Sequence, residues 1–158
     1  MNTTKTQLEE FYVMGLQIRT TNAVEMTSAG KIPSLWGKFY SEQIASQISG
    51  KIEDSVFAVY SDYASDMNGE YSLTIGFKVK ADVTSLPGLH IVRVPAQTYM
   101  KYTTDIGEMP NIVIDGWKHI WNQTQSSELK RKYSADFEVY DHRCADLKKS
   151  QVDIFICI

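Results

Sequence analysis

"SADFEVYDHR", residues 134–143, repeats the frame of "SVFAVYSDY", residues 55–63, so that Phe57-Ala58-Val59-Tyr60 stands over Phe137-Glu138-Val139-Tyr140 at an offset of 80. Both stretches alternate β-branched and aromatic residues, the composition of a strand. The correspondence continues outward. Gly15-Leu16-Gln17 matches Pro95-Ala96-Gln97 at an offset of 80, and Ile32-Pro33 matches Met109-Pro110 at 77. Offsets near half of 158 residues imply a duplication. Two copies cannot stack as a solenoid, so the expectation is a pseudo-twofold pair.

Each copy has the same element order. In the first, "FYVMGLQIRT" (11–20) has strand composition, and "PSLWGKFYSEQIASQI" (33–48) sets Leu35, Trp36, Phe39, Tyr40, Ile44 and Ile48 at helical spacing. "SVFAVYSDY" and "EYSLTIGFKVK" then form a hairpin around "SDMNG". The second copy reads strand "LHIVRVPAQTYMKYTT", helix "PNIVIDGWKHIWNQT", strand "YSADFEVYD" and strand "VDIFICI". The predicted fold is α+β: duplicated strand-helix-strand-strand units, antiparallel sheets and one main helix per repeat. A single domain over residues 1–158 is expected, with repeats at about 8–80 and 88–158.

A chain of 158 residues with 43% hydrophobic content can bury a sizeable core. Its net charge of -3 and pI near 5.6 argue against a nucleic-acid surface, which needs clustered Lys and Arg. The one basic stretch, "LKRKYS" (129–134), reads as a solvated edge. No apolar run is long enough to span a bilayer and the N-terminus lacks a secretory layout, so a cytoplasmic protein without membrane contact is expected. Cys144 and Cys157 have no CxxC spacing and read as reduced thiols, Cys157 in the core. His90, His119 and His142 are scattered, and no zinc, phosphate-loop or nucleophile-elbow motif occurs, so no metal or cofactor is expected.

Glu138 is the residue that needs an explanation. Side chains alternate along a strand, so Glu138 and Tyr140 share one face and Phe137 and Val139 the other. Both faces are largely apolar, which places the strand inside the sheet. An unpartnered carboxylate there costs several kcal/mol. Four readings compete: a protonated acid bonded to tyrosine, a pair with an internal Lys or Arg, an exposed strand end, or a carboxylate awaiting a cationic ligand. The aromatic residues bear on the choice. Trp36, Phe39 and Tyr40 lie on one helix, Trp117 and Trp121 on the other, and Tyr60 and Tyr140 on the matched strands. At helical spacing such a stripe also reads as plain core. Combined with an inward carboxylate it suits a bulky organic cation, which loses little hydration and gains about 2 kcal/mol per desolvated ring face.

The order of "VPAQTYMKYTT", "GEMPNIVIDGWKHIW", "DFEVYD" and "VDIFICI" resembles the gyrase-inhibitor-like superfamily, which includes AraC- and MerR-type effector-binding domains. "IPSLWGKFY" and "YSLTIGFKV" are similar to its stand-alone members encoded by integron gene cassettes, associated with binding cationic drug-like compounds. The resemblance implies that Glu138 meets the ligand's positive charge. It also implies a pocket lined by Tyr140, Phe155 and Asp153 on the last strands, with Trp36, Tyr40 and Trp117 on the helices. No helix-turn-helix segment precedes the unit, so a module rather than a self-contained regulator is expected.

Three functions follow. The first is a binding module for lipophilic organic cations, with Glu138 at the centre of an aromatic pocket formed with Tyr60 and Phe39 as well. The second is a hydrolase of electrophilic small molecules, with Glu138 as general base and Tyr140 or Tyr60 as proton donor. The third is a protein-interaction module, in which Glu9, Glu10, Asp62 and Asp66 face an unidentified protein partner. A haem-binding reading finds no histidine with a place for it.

Overall fold

The computed structural model describes all 158 residues. Its eight strands are β1 (Asn2–Leu8), β2 (Phe11–Thr20), β3 (Lys51–Ser61), β4 (Tyr71–Val79), β5 (His90–Val94), β6 (Gln97–Thr103), β7 (Ala135–Tyr140) and β8 (Asp153–Cys157). They form one antiparallel sheet in the order β1-β6-β8-β7-β3-β4-β2-β5. The helices are α1 (Asn22–Glu25), α2 (Ile32–Ser41), α3 (Ile44–Gln47) and α4 (Asn111–Gln125). Thus β2-α2-β3-β4 and β6-α4-β7-β8 are the two strand-helix-strand-strand units. They meet along β3 and β7 at the centre of the sheet.

A second connection joins the halves at the rim. Residues of β1–β2 pair with those of β5–β6 in one register, from Asn2↔Thr103 through Leu8↔Gln97 to Phe11↔Val94 and Gly15↔His90. This ribbon curls the sheet over one of its faces. Phe11 of β2 and Phe137 of β7 lie three strands apart, roughly 14 Å in a flat sheet. Their ring centroids are 5.2 Å apart. Phe11, Val13, Phe57, Val59, Tyr99 and Phe137 fill this enclosed side. The glycines of the β2–β4 pair permit the close approach. Gly15 opposes Gly76, and a Cβ on either would lie 1.9 Å from a carbonyl oxygen of the facing strand.

The helices cover the other face. Leu35 and Phe39 of α2 and Ile44 of α3 pack on Leu16, Leu73, Ile75 and Phe77 of the first unit. Val113, Trp117 and Ile120 of α4 pack on Tyr102, Ile154 and Ile156 of the second. Tyr60 and Tyr140 contact both clusters and so occupy the seam.

Three local expectations are corrected, and one strand lay outside the sequence reading. The stretch 89–104 is two strands, because Pro95 has no N–H to give and interrupts the ladder between β5 and β6. The helix expected over 33–48 breaks at Gln43, whose φ of 50° is left-handed, leaving α3 as a separate turn. The polar, threonine-rich β1 lacks the buried alternation that marked the other strands, and its first four residues are all exposed. Finally, "LKRKYS" is not a solvated edge: Leu129 is buried and the Arg131 side chain is only 2% exposed.

Candidate functional site

Ala58 lies directly opposite Glu138 in the β3–β7 pair, flanked by Val56↔Tyr140 and Tyr60↔Asp136. Ala58 and Glu138 are thus the one pair related by the offset of 80 that meets face to face, which sets the pseudo-axis between them. Alternation turns Asp136, Glu138 and Tyr140 toward the helices, together with Ala58 and Tyr60 from the facing strand. Ala58 contributes only a methyl group, which leaves space for the longer acid across from it.

Three neutral donors surround the Glu138 carboxylate. Oε1 accepts from the Trp117 indole N–H at 2.5 Å and from the Tyr60 hydroxyl at 2.9 Å; Oε2 accepts from the Tyr140 hydroxyl at 2.6 Å. Trp117 comes from α4, Tyr60 from the first unit and Tyr140 from the same strand as the acid. Their rings continue outward. Tyr60 packs edge-on to Trp117 with centroids 4.9 Å apart, Trp36 packs edge-on to Tyr140 at 5.0 Å, and Tyr40 stacks on Trp36 at 6.0 Å. No lysine, arginine or histidine offsets the charge. Glu138 is 2% exposed, and burial pushes its carboxyl above the usual range against the opposing pull of the three hydrogen bonds. Burial, reinforced by the Glu138 charge, likewise pushes the Tyr60 and Tyr140 hydroxyls well above theirs.

Two residues earlier on the same face, Asp136 is treated differently. It accepts from Arg131 Nη2 at 2.6 Å, from the Tyr63 hydroxyl at 2.7 Å and from the Cys157 backbone N–H at 2.7 Å. The Arg131 guanidinium lies 4.4 Å from the centre of the Tyr133 ring and 5.7 Å from that of Trp117. Its Nε and Nη1 have no partner. The strand thus carries two buried acids, one matched by a cation and one by hydrogen-bond donors alone.

Of the residues singled out in the sequence, Tyr60, Trp117 and Tyr140 touch Glu138. Trp36 reaches it through Tyr140. Tyr40, 66% exposed, forms the outer rim, and Phe39 packs beneath it against Phe77. Phe155 and Asp153 do not line this site. Odd-numbered residues of β8 face the enclosed side, where Phe155 stacks on Phe137 at 4.5 Å. Asp153 is held there by Lys101 at 3.0 Å and Arg143 at 2.8 Å. Arg131, Asp136 and Tyr63 escaped the sequence reading. Asp136 carried a signal, since it shares the face of Glu138 by alternation, whereas Arg131 reaches it from an irregular segment.

Two cavities flank the seam. A groove of about 460 Å³ runs between α2–α3 and β3–β4, lined by Phe39, Tyr40, Lys51, Asp54, Val56 and Phe77 among others. A smaller cleft of about 260 Å³ opens on the opposite side near Phe11, Phe57, Phe137 and Phe155. No helix is long and apolar enough to cross a membrane.

The sequence profile of the integron-associated effector-binding proteins, Cass2, matches residues 6–158. The chain belongs to this family. The YobU protein of Bacillus subtilis (strain 168), which carries a transcriptional-regulator name, is 36% identical over 147 residues, covering 91% of this chain and 89% of its own. The integron cassette protein VCH_CASS2 of Vibrio cholerae superposes with a TM-score of 0.78 at 31% identity, over 98% of this chain and 94% of that one. SAV2435, solved bound to tetraphenylphosphonium, shares the fold with a TM-score of 0.78 at 15% identity, over 99% of this chain and 93% of that one. The Cass2 profile thus takes in both units and the seam between them.

Proposed function

We propose that this Cass2 protein captures lipophilic organic cations at Glu138. One observation carries the reading: β7 presents two buried acids on one face, and Arg131 neutralises Asp136 while nothing neutralises Glu138. The desolvation of such a charge costs several kcal/mol, only partly offset by neutral hydrogen bonds. A cation completes the arrangement. The faces of Trp36, Tyr60, Trp117 and Tyr140 select a bulky, delocalised one, because a small hydrated ion would lose more solvation than aromatic faces return. The tetraphenylphosphonium held by SAV2435 is an ion of that kind. Entry requires Trp36 and Tyr140 to part, and the exposed Tyr40, three residues before the helix break at Gln43, is the outermost element of that seal.

Binding is favoured over hydrolysis by the engagement of both Glu138 oxygens. A general base needs a lone pair on a water, and Oε1 already has two donors and Oε2 one in a site with almost no solvent exposure. All three tryptophans lie in or beside this cage, Trp121 at 6.2 Å from Trp117, so intrinsic fluorescence reports on it. Titration with a cationic dye and with its neutral isostere is expected to give binding of the cation alone, lost in Glu138→Gln. Equal affinity for the two compounds would refute the proposal.

A further inference from the structure

Val56, Ala58 and Tyr60 alternate onto the helix-facing side of β3, and Asp54 joins them from the stretch between Lys51 and Val56 where the pairing with β4 shifts register. Ala58 and Tyr60 belong to the Glu138 cage, and Asp54 and Val56 line the 460 Å³ groove. Groove and cage are therefore consecutive stations along β3, separated by the row of rings Tyr40, Trp36 and Tyr140.

The groove has the composition of a second cation site. Its floor carries the rings of Phe39, Tyr40 and Phe77. An ammonium already occupies it: Lys51 Nζ lies 4.8 Å from the centre of the Phe77 ring. The neighbouring acid Glu53 pairs with Lys78 at 3.8 Å, whereas Asp54 has no ion pair. Lys51 ends a flexible stem and is partly exposed, so it can yield its place to another cation. Four residues of β3 separate Asp54 from Ala58, and one strand spacing separates Ala58 from Glu138; because β3 is irregular between Lys51 and Val56, the two positions lie within roughly 14 Å of each other.

Building on the reading of Glu138 as a cation site, we infer that the groove is a second subsite, with Lys51 as its displaceable resident, and that the protein takes elongated dications spanning Glu138 and Asp54. One charged end enters the cage. The apolar linker passes along Val56 under Tyr40, and the other end replaces the Lys51 ammonium over Phe77 beside Asp54.

The test compares a flexible bis-quaternary ammonium compound whose charges can reach roughly 14 Å apart with a mono-quaternary analogue of equal chain length, followed by calorimetry. The bis compound is expected to bind more tightly. Because Asp54 is exposed, Asp54→Asn is expected to lower the bis-to-mono affinity ratio by about two- to fivefold, leaving the mono compound unaffected. Lys51→Met is expected to raise the ratio, and a linker half as long to abolish the advantage. A ratio unchanged in Asp54→Asn would overturn the inference while leaving Glu138 as a single cation site. Mono-cation binding that survives Glu138→Gln would overturn the primary reading instead, and this one with it.

Discussion

The two acids of β7 should respond in opposite ways to loss of charge. In Asp136→Asn the Arg131 guanidinium, its side chain 2% exposed and already lacking partners at Nε and Nη1, would lose its only counter-charge. Breaking a buried pair from one side costs about 3–5 kcal/mol. For a chain of this length that is roughly 6–20 °C in Tm. In Glu138→Gln no cation is stranded. The amide oxygen can keep the Trp117 and Tyr60 donors, and the amide nitrogen can donate to the Tyr140 oxygen, with the Tyr140 hydroxyl turned aside. What disappears is a desolvated charge. The variant is expected to match or exceed the wild type in stability near neutral pH. The sign follows from the raised carboxyl: a group that holds its proton more tightly in the folded state loses folding stability as pH rises from its unfolded value to its folded one. The margin of Glu138→Gln over wild type should accordingly be absent below about pH 4 and open as pH increases. Urea unfolding followed by far-ultraviolet circular dichroism, at several pH values, measures both variants without relying on the tryptophans of the site. A Glu138→Gln protein as destabilised as Asp136→Asn would mean that the Glu138 charge serves the fold, and the reasoning toward a ligand would fail.

Two further outcomes follow from the same geometry. Cation affinity should rise with pH through the elevated Glu138 carboxyl and then level off, because the ligand selects the ionised acid, and Glu138→Gln should show no such rise; a wild-type profile that is flat from about pH 4 to 8 would contradict this. Gly76→Ala should destabilise by about 3 kcal/mol, since its Cβ would meet the Met14 carbonyl oxygen at 1.9 Å and backbone must move to admit it; thermal denaturation indistinguishable from wild type would show that the β2–β4 approach is not tight.

The central strands were legible because duplication and alternation act together. "FAVY" and "FEVY" share a frame, so the face of Glu138 and its relation to Ala58 and Tyr60 are readable from the sequence, and the β3–β7 register realises it. The outer elements were less legible. β1 is held by backbone pairing to β6 rather than by burying side chains, so the polar run Asn2–Leu8 leaves little pattern to read. Likewise, periodicity carried helix across Gln43 because Ile44 and Ile48 keep the apolar spacing, although the backbone turns left-handed between them. The assignment of Phe155 and Asp153 to the site shows a different limit. Resemblance identified β8 correctly but not its phase, and one residue of phase decides which face of a sheet a side chain occupies. The pairing Glu138↔Ile154 settles it, placing Ile154 and Ile156 toward α4 and Asp153 and Phe155 away.

Duplication also accounts for why the acid stands alone. At a pseudo-twofold axis the position on the axis faces its own counterpart, so identical residues there would oppose each other across roughly 5 Å. Two glutamates there would repel, and two alanines would leave only packed core; the Ala58–Glu138 pair is the combination that sets one charge in the frame. The frame itself is kept partly symmetric. Tyr60 and Tyr140 are counterparts at the offset of 80, and both donate to Glu138, one to each oxygen. The helices depart from that symmetry. At the helix offset of 77 the counterpart of Trp117 is Tyr40, yet Trp117 is buried with its N–H on the carboxylate while Tyr40 is 66% exposed on the rim. One side of the cage is thereby fixed by a hydrogen bond to the acid, and the other is closed only by ring contacts, Tyr40 stacked on Trp36 and Trp36 edge-on to Tyr140. Ring stacking contributes about 0.5–1.5 kcal/mol beyond area burial, less than the 1.5–3 kcal/mol of a hydrogen bond to a charged group. The weaker wall is the one that borders the groove, so a ligand approaching along β3 meets the side of the cage that yields first.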